Sequence, residues 1–186
     1  MQAGPCQGPL SGPGHDPRVA THEESRQLAV PALDARGWLP PGEHECTLPE
    51  VQACFASTTH SLKRQHIFAA LREHLQNPLV SDLSRHVLIN GGFVSIKPDP
   101  KDVDIILGLV PGSIDALFAG RLGVSPVAAL ALLEGRLSRV VDGHRLIHGF
   151  ADDIGGPKYE GMRQYFQRSD RVGEPMRKGV LLVELN

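Results

Sequence analysis

Leu88-Ile89-Asn90-Gly91-Gly92-Phe93-Val94-Ser95-Ile96-Lys97-Pro98-Asp99-Pro100-Lys101-Asp102-Val103-Asp104-Ile105-Ile106-Leu107 sets two short apolar runs around a glycine pair and a stiff, charged turn. The runs predict strands over 87–90 and 103–110. On a strand, side chains at i and i+2 share a side. Asp102 and Asp104 are therefore expected to project together, with Val103 facing a core. Two adjacent carboxylates repel each other unless a cation lies between them. Hard oxygen donors suit Mg²⁺ (or Mn²⁺), and Mg²⁺ commonly binds one or two carboxylates plus substrate phosphates. Gly91 and Gly92 let backbone N–H groups approach a phosphate closely. Lys97 and Lys101 either meet phosphate charge or simply keep the turn solvated. Each feature alone has a plainer meaning, a turn or a solvated strand end. Together, in this order on neighbouring strands, they point to a seat for a metal-bound nucleoside triphosphate.

Upstream, Thr47-Leu48-Pro49-Glu50 has the form of a capping box with proline in the first turn, so a helix is expected through Phe55. Ile67, Phe68, Leu71 and Leu75 recur at helical spacing and predict a helix over 61–76, into which Leu62 fits poorly. Lys63 and Arg72 fall at the edges of its apolar face. Arg64 is expected to lay its stem on the core and its head in water, with a triphosphate as the alternative partner for one of the three.

Downstream, Ser113 or Asp115 is expected to cap a short helix through Arg121. Ser125-Pro126 starts a helix whose face carries Val127, Leu130, Leu133 and Leu137. A strand over 146–151 is expected next. A helix over 157–167 follows, with Tyr159, Met162, Tyr165 and Phe166 on one face, and then a terminal strand over 179–185. This order predicts an α+β fold with a small mixed β-sheet flanked by helices.

Residues 1–36 are rich in Gly, Pro, Gln and Ala, and Pro5, Pro9, Pro13 and Pro17 break any long helix. They read as a disordered or extended N-terminal segment, with a short helix over 23–30 marginal on its own. One domain is expected over 37–186, with Trp38 anchoring its turn-rich start or, as a minor alternative, stacking on a base.

The 186 residues suit one domain, and 41% apolar content supplies a core. Aromatic content of only 5% leaves its packing to Leu, Val, Ile and Ala. A net charge of −2 gives no overall basic footprint for nucleic acid. No apolar run approaches the roughly 18–20 residues that span a bilayer. No secretory signal is visible, so a cytoplasmic location is expected. Cys6, Cys46 and Cys54 are odd in number and form no CxxC pair, which favours reduced thiols over zinc or disulfides. Of nine histidines only His144 and His148 have the helical i, i+4 spacing, and they straddle an expected turn and strand.

The central segment resembles the signature of the polymerase-β-type nucleotidyltransferase superfamily: an apolar residue, Gly, Gly or Ser, a spacer, then Asp-apolar-Asp. More narrowly, the chain resembles small uncharacterised bacterial nucleotidyltransferase-like proteins. Their features include a Lys-Pro-x-Pro spacer, an upstream Leu-Pro-Pro-Gly (Leu39 to Gly42) and a C-terminal Lys-Gly-apolar strand (Lys178 to Leu185). The resemblance covers 37–186. It implies a nucleotidyltransferase (polymerase β)-like fold and metal-dependent transfer of a nucleoside monophosphate from an NTP. The acceptor is left open: a protein, an RNA or a small molecule. It implies that Asp102 and Asp104 are catalytic metal ligands and that Gly91 and Gly92 contact phosphate through the backbone, with Lys97, by its charge, as a further nucleotide-binding candidate. Gly92 replaces the more frequent Ser, which removes a hydroxyl contact to phosphate. A third carboxylate is expected in the strand over 146–151, where His148 stands at the matching position. Asp152 is the first substitute as metal ligand, with Asp142 and Asp153 as others or as turn residues. The departure keeps a second reading open: a catalytically degenerate member acting as a binding or regulatory partner of another protein, of toxin–antitoxin or defence type.

Overall fold

Strict alternation along the central strands decides the architecture. Val103, Ile105 and Leu107 are buried in one apolar cluster, while Ile106, between them, belongs to a second. A sheet with both faces covered follows, and helices supply the cover.

The computed structural model describes residues 30–169 and 176–185. Its elements are β1 (Gly42–Glu45), α1 (Leu48–Phe55), α2 (Leu62–Leu75), α3 (Pro78–Leu83), β2 (Ser84–Asn90), a 3-10 turn (Gly92–Val94), β3 (Val103–Leu109), α4 (Ser113–Phe118), α5 (Pro126–Leu133), the hairpin of β4 (Val140–Val141) and β5 (His144–Arg145), β6 (Ile147–Asp153), α6 (Pro157–Phe166), the paired β7 (Arg168–Ser169) and β8 (Met176–Arg177), and β9 (Gly179–Glu184). Five strands make one mixed sheet in the order β1-β9-β2-β3-β6. β2 runs antiparallel to β3 and β9, whereas β1–β9 and β3–β6 are parallel pairs. The fold is α+β, with this mixed sheet and six helices among the described residues. No helix among the described residues is long and apolar enough to cross a membrane.

The capping box forms as the sequence predicts: Thr47 and Glu50 satisfy each other's backbone N–H. In α2, Ile67 and Leu71 are fully buried, while Leu62 is exposed. α6 buries Tyr159 and Phe166 on the second face of the sheet, with Met162 half-buried beside them. Cys46 and Cys54 are free thiols.

Several expectations need correction. Arg64 is not solvated; it is 3% exposed. The α5 stripe is rotated from the expected one. Leu133 and Ala129 are buried, Val127 is exposed, and Leu137 lies beyond the helix end and is exposed. Packing through 129 and 133, one turn apart, satisfies a helix of eight residues against α3 and β6. α4 ends at Phe118, short of Arg121, and Tyr165 faces solvent rather than sharing the buried stripe of α6. The domain starts before residue 37, since Val30 is buried in the main core and Leu33 packs against it. The helix anticipated over 23–30 lies outside the described residues except for its last position.

A buried histidine and a half-buried one make stability depend on pH. Burial holds His74, at the end of α2, below the ordinary imidazole range, partly offset by a hydrogen bond with the Leu133 backbone. Burial depresses His86 too, against the acidic pull of Glu184 and Glu43. A depressed imidazole resists a proton that the unfolded chain accepts at about pH 6.5. Stability is therefore full above that pH and is lost as pH falls through 6.5 towards the folded-state values. The expected result is a lower Tm at pH 5.5 than at pH 7.5, with a smaller difference in His74→Phe. An equal Tm at both pH values contradicts this linkage.

Candidate functional site

The site lies where β2 ends and β3 and β6 begin. Asn90, the last residue of β2, pairs with Asp104 on β3, and Asp104 pairs in turn with His148 on β6. These residues share the sheet face that, one layer further in, carries Leu88, Ile106 and Phe150. α6 covers those inner layers and stops at this edge, where Asn90 Nδ2 donates to the Phe166 carbonyl at 2.6 Å. The row Asn90–Asp104–His148 is thus the first polar layer beyond the helix cover.

The chain turns away from β2 at Gly91, whose φ of 84° and ψ of −164° lie in a region essentially confined to glycine. A Cβ at Gly91 would stand 2.0 Å from Oδ2 of Asp104. The aspartate carboxylate therefore rests directly on the bare glycine backbone. Gly92 opens the 3-10 turn, and a Cβ there would meet the Lys97 side chain at 3.1 Å. Gly91, Gly92, Lys97 and Asp104 all line one cleft of about 560 Å³, together with Asn90, Lys178, Arg36 and Trp38. Asp102 stands one residue before β3, close enough for its charge to act on Asp104. Burial raises the pKa of Asp104, and the charge of Asp102 raises it further. His148 Nδ1, 3.3 Å from Asp104 Oδ1, pulls the other way, as does Lys178. A desolvated carboxylate with a like charge beside it is the arrangement that a bound cation relieves. Asp102 and Asp104 are the residues that would hold a divalent ion here, and such an ion would supply charge neutralisation for phosphate oxygens.

The structure does not bring the proposed third ligand to the pair. Asp152 is four residues past His148 on β6, opposite Gly108. That spacing is about 13 Å along a strand, beyond any shared ion. Its Oδ2 instead accepts from the Tyr159 N–H at 3.0 Å, fixing the start of α6. Asp152 as a metal ligand is therefore corrected to a helix-positioning carboxylate. Asp153 accepts from the N–H groups of Gly112 and Ile114 at 2.9 and 3.1 Å. Asp142 occupies the hairpin turn at φ 51° and pairs with Lys63 at 3.4 Å. His148 alone lies beside Asp104, with its side chain largely exposed. Among the described residues, no group of three or more His, Cys, Asp or Glu side chains is arranged to hold a metal ion.

Arg64 is the residue whose role the sequence concealed. From α2 its guanidinium reaches the carbonyls of Phe93 at 2.6 Å, Ser95 at 2.7 Å, Phe55 and Pro98 at 3.2 Å, Gly92 at 3.5 Å, and Lys97. Five of these six acceptors lie in the turn between the glycine pair and Pro98. Arg64 thus holds the corner from beneath, the planar fork of donors suiting an arc of carbonyls. The only available signal was its spacing: residue 64 stands three, four and seven positions before Ile67, Phe68 and Leu71, inside the buried stripe. Lys101, by contrast, is exposed.

Residues 31–184 match a family of unknown function, DUF6932, and the chain belongs to that family. No curated protein and no solved structure matches it.

Proposed function

We propose that this chain is a nucleotidyltransferase-like protein of polymerase-β type, which seats a nucleoside triphosphate with Mg²⁺ or Mn²⁺ at the Gly91-Gly92 corner. The observation that carries this reading is the contact of Asp104 with the Gly91 backbone, in a cleft that also holds Lys97 and Lys178. Backbone N–H groups of the turn and the lysine ammonium would bind phosphate oxygens. Asp102 and Asp104 would hold the ion, which when bound would neutralise charge on the triphosphate. Fixed donors and charges would orient the α-phosphorus for attack by an acceptor hydroxyl, with pyrophosphate leaving. The acceptor is a protein, an RNA or a small molecule.

His148 opposite Asp104 favours a second reading, a nucleotide-binding member that has lost transfer and acts as a regulatory partner. A neutral imidazole is a softer donor than Mg²⁺ usually takes. Incubation with α-labelled NTP and Mg²⁺ or Mn²⁺ separates the two. Transfer of label by the wild type and not by Asp102→Ala is the expected result. No transfer under either ion, with nucleotide still bound, would favour the degenerate member.

A further inference from the structure

The cleft lining combines two chemistries. The glycine corner with Asp104 and Lys97 is polar and charged; Trp38, Arg36 and Ile96 add an aromatic and aliphatic wall. Ile96 is 72% exposed there, an aliphatic side chain facing solvent beside the only tryptophan of the chain. The Arg36 guanidinium lies over the indole at 5.6 Å, making a flat, partly cationic π surface.

This wall is built rather than incidental. Asp34 accepts from the backbone N–H of Arg36 at 2.9 Å and of Trp38 at 3.1 Å. It also takes two bonds from the Arg36 guanidinium, at 3.0 and 2.7 Å. One carboxylate thus fixes both members of the stack, and those bonds, the Arg36 guanidinium first, lower its pKa. Gly37, at φ 79°, allows Ile96 to lie where its own Cβ would be, 2.1 Å from Ile96 Cγ2. Its carbonyl accepts from the Ile96 N–H at 2.9 Å, and Trp38 bridges Ser95. The wall is therefore hydrogen-bonded to the same turn that starts at the glycine corner. Its geometry relative to the phosphate seat is set in advance, which lowers the entropy cost of binding.

We propose that Trp38 and Arg36 form the base-binding wall of this cleft, against which the purine of a nucleoside triphosphate stacks while its phosphates occupy the Gly91-Gly92 corner. The inference rests on the nucleotide reading above and assigns the part of the ligand that the corner cannot recognise. An aromatic base matches a flat apolar wall with a cation at its edge, and a triphosphate matches lysines and bare backbone. Purines are favoured over pyrimidines by their larger stacking area. Stacking tolerates any base, so the preference is one of degree.

Trp38 reports on its own site, because no other tryptophan contributes to emission. The full chain, with Mg²⁺ present, is titrated with ATP and with inorganic tripolyphosphate. Indole fluorescence and calorimetry are followed in parallel. Both ligands are expected to bind, with only ATP quenching Trp38. Trp38→Ala is expected to weaken ATP by roughly 5- to 100-fold and to leave tripolyphosphate unchanged, with Trp38→Phe recovering most of the loss. Arg36→Ala, at an exposed side chain whose loss spares the core, is expected to weaken ATP selectively even if Trp38→Ala fails to fold. Equal binding of both ligands without quenching would overturn the stacking wall and leave the phosphate corner standing. Failure of both to bind would overturn the corner and the wall together.

Discussion

Arg64→Ala is expected to lower stability by about 3–5 kcal/mol, because it takes their side-chain donor from the Phe55, Phe93, Ser95 and Lys97 carbonyls, whereas Gly92 and Pro98 keep the hydroxyls of Ser95 and Ser61. The five N–H groups of the wild-type guanidinium serve six carbonyls, one N–H being shared, from a nearly inaccessible position. Water cannot replace those bonds without opening the contact between α2 and the turn. For a chain of this size the loss corresponds to a fall in Tm of roughly 10 °C. Arg64→Lys is expected to recover little. An ammonium is a point charge with three donors, and it cannot span an arc from Phe55 to Lys97. Thermal and chemical denaturation of both variants checks this. A change below about 1 kcal/mol for Arg64→Ala would mean that the turn holds its shape without the guanidinium.

The second large effect is local. Gly91→Ala introduces a Cβ 2.0 Å from the Asp104 carboxylate, in a backbone conformation that only glycine adopts readily. The backbone strain alone is worth about 1–3 kcal/mol. The carboxylate must also leave its position over the turn, so nucleotide binding is expected to fall by at least about tenfold, for a cost of 1.4 kcal/mol or more. Gly112 also has positive φ, in the left-handed helical region at ψ 0°, and a Cβ there would meet nothing within 4 Å. Gly112→Ala, a control for backbone strain away from the cleft, is expected to lose stability without losing ligand. Equal ligand affinity in Gly91→Ala and the wild type would show that Asp104 does not act from over the turn.

The heart of the sheet was legible because strands announce themselves by alternation. Val103, Ile105 and Leu107 point one way and Asp104 and Ile106 the other, so the side on which Asp104 lies followed from counting. The α1 cap and the α2 stripe were legible for the same reason: each is local. What failed was non-local. β1 reads Gly-Glu-His-Glu, with no apolar alternation, and it is a strand only because β9 lies parallel beside it. Arg64 looked like a snorkelling side chain because nothing in α2 reveals that a carbonyl-lined turn from 30 residues later closes over it. Asp152 and His148 share a face of β6, and only the pairing with β3 tells which of them meets Asp104. The cleft wall was missed as a unit. Asp34, Arg36 and Trp38 form an ordinary polar turn in the sequence, and its position against Ser95 and Ile96 is set by tertiary bonds.

The proposed seat joins Asp104, set against the Gly91 backbone, with Asp102, and would hold a triphosphate through a divalent ion. Calorimetric titration of ATP into the wild type and into Asp102→Ala, each with Mg²⁺ and with chelator, tests it most directly. Binding by the wild type that needs Mg²⁺, and that Asp102→Ala loses, is the predicted result. ATP binding of equal strength in both proteins and in chelator, or no binding by the wild type at all, would contradict it.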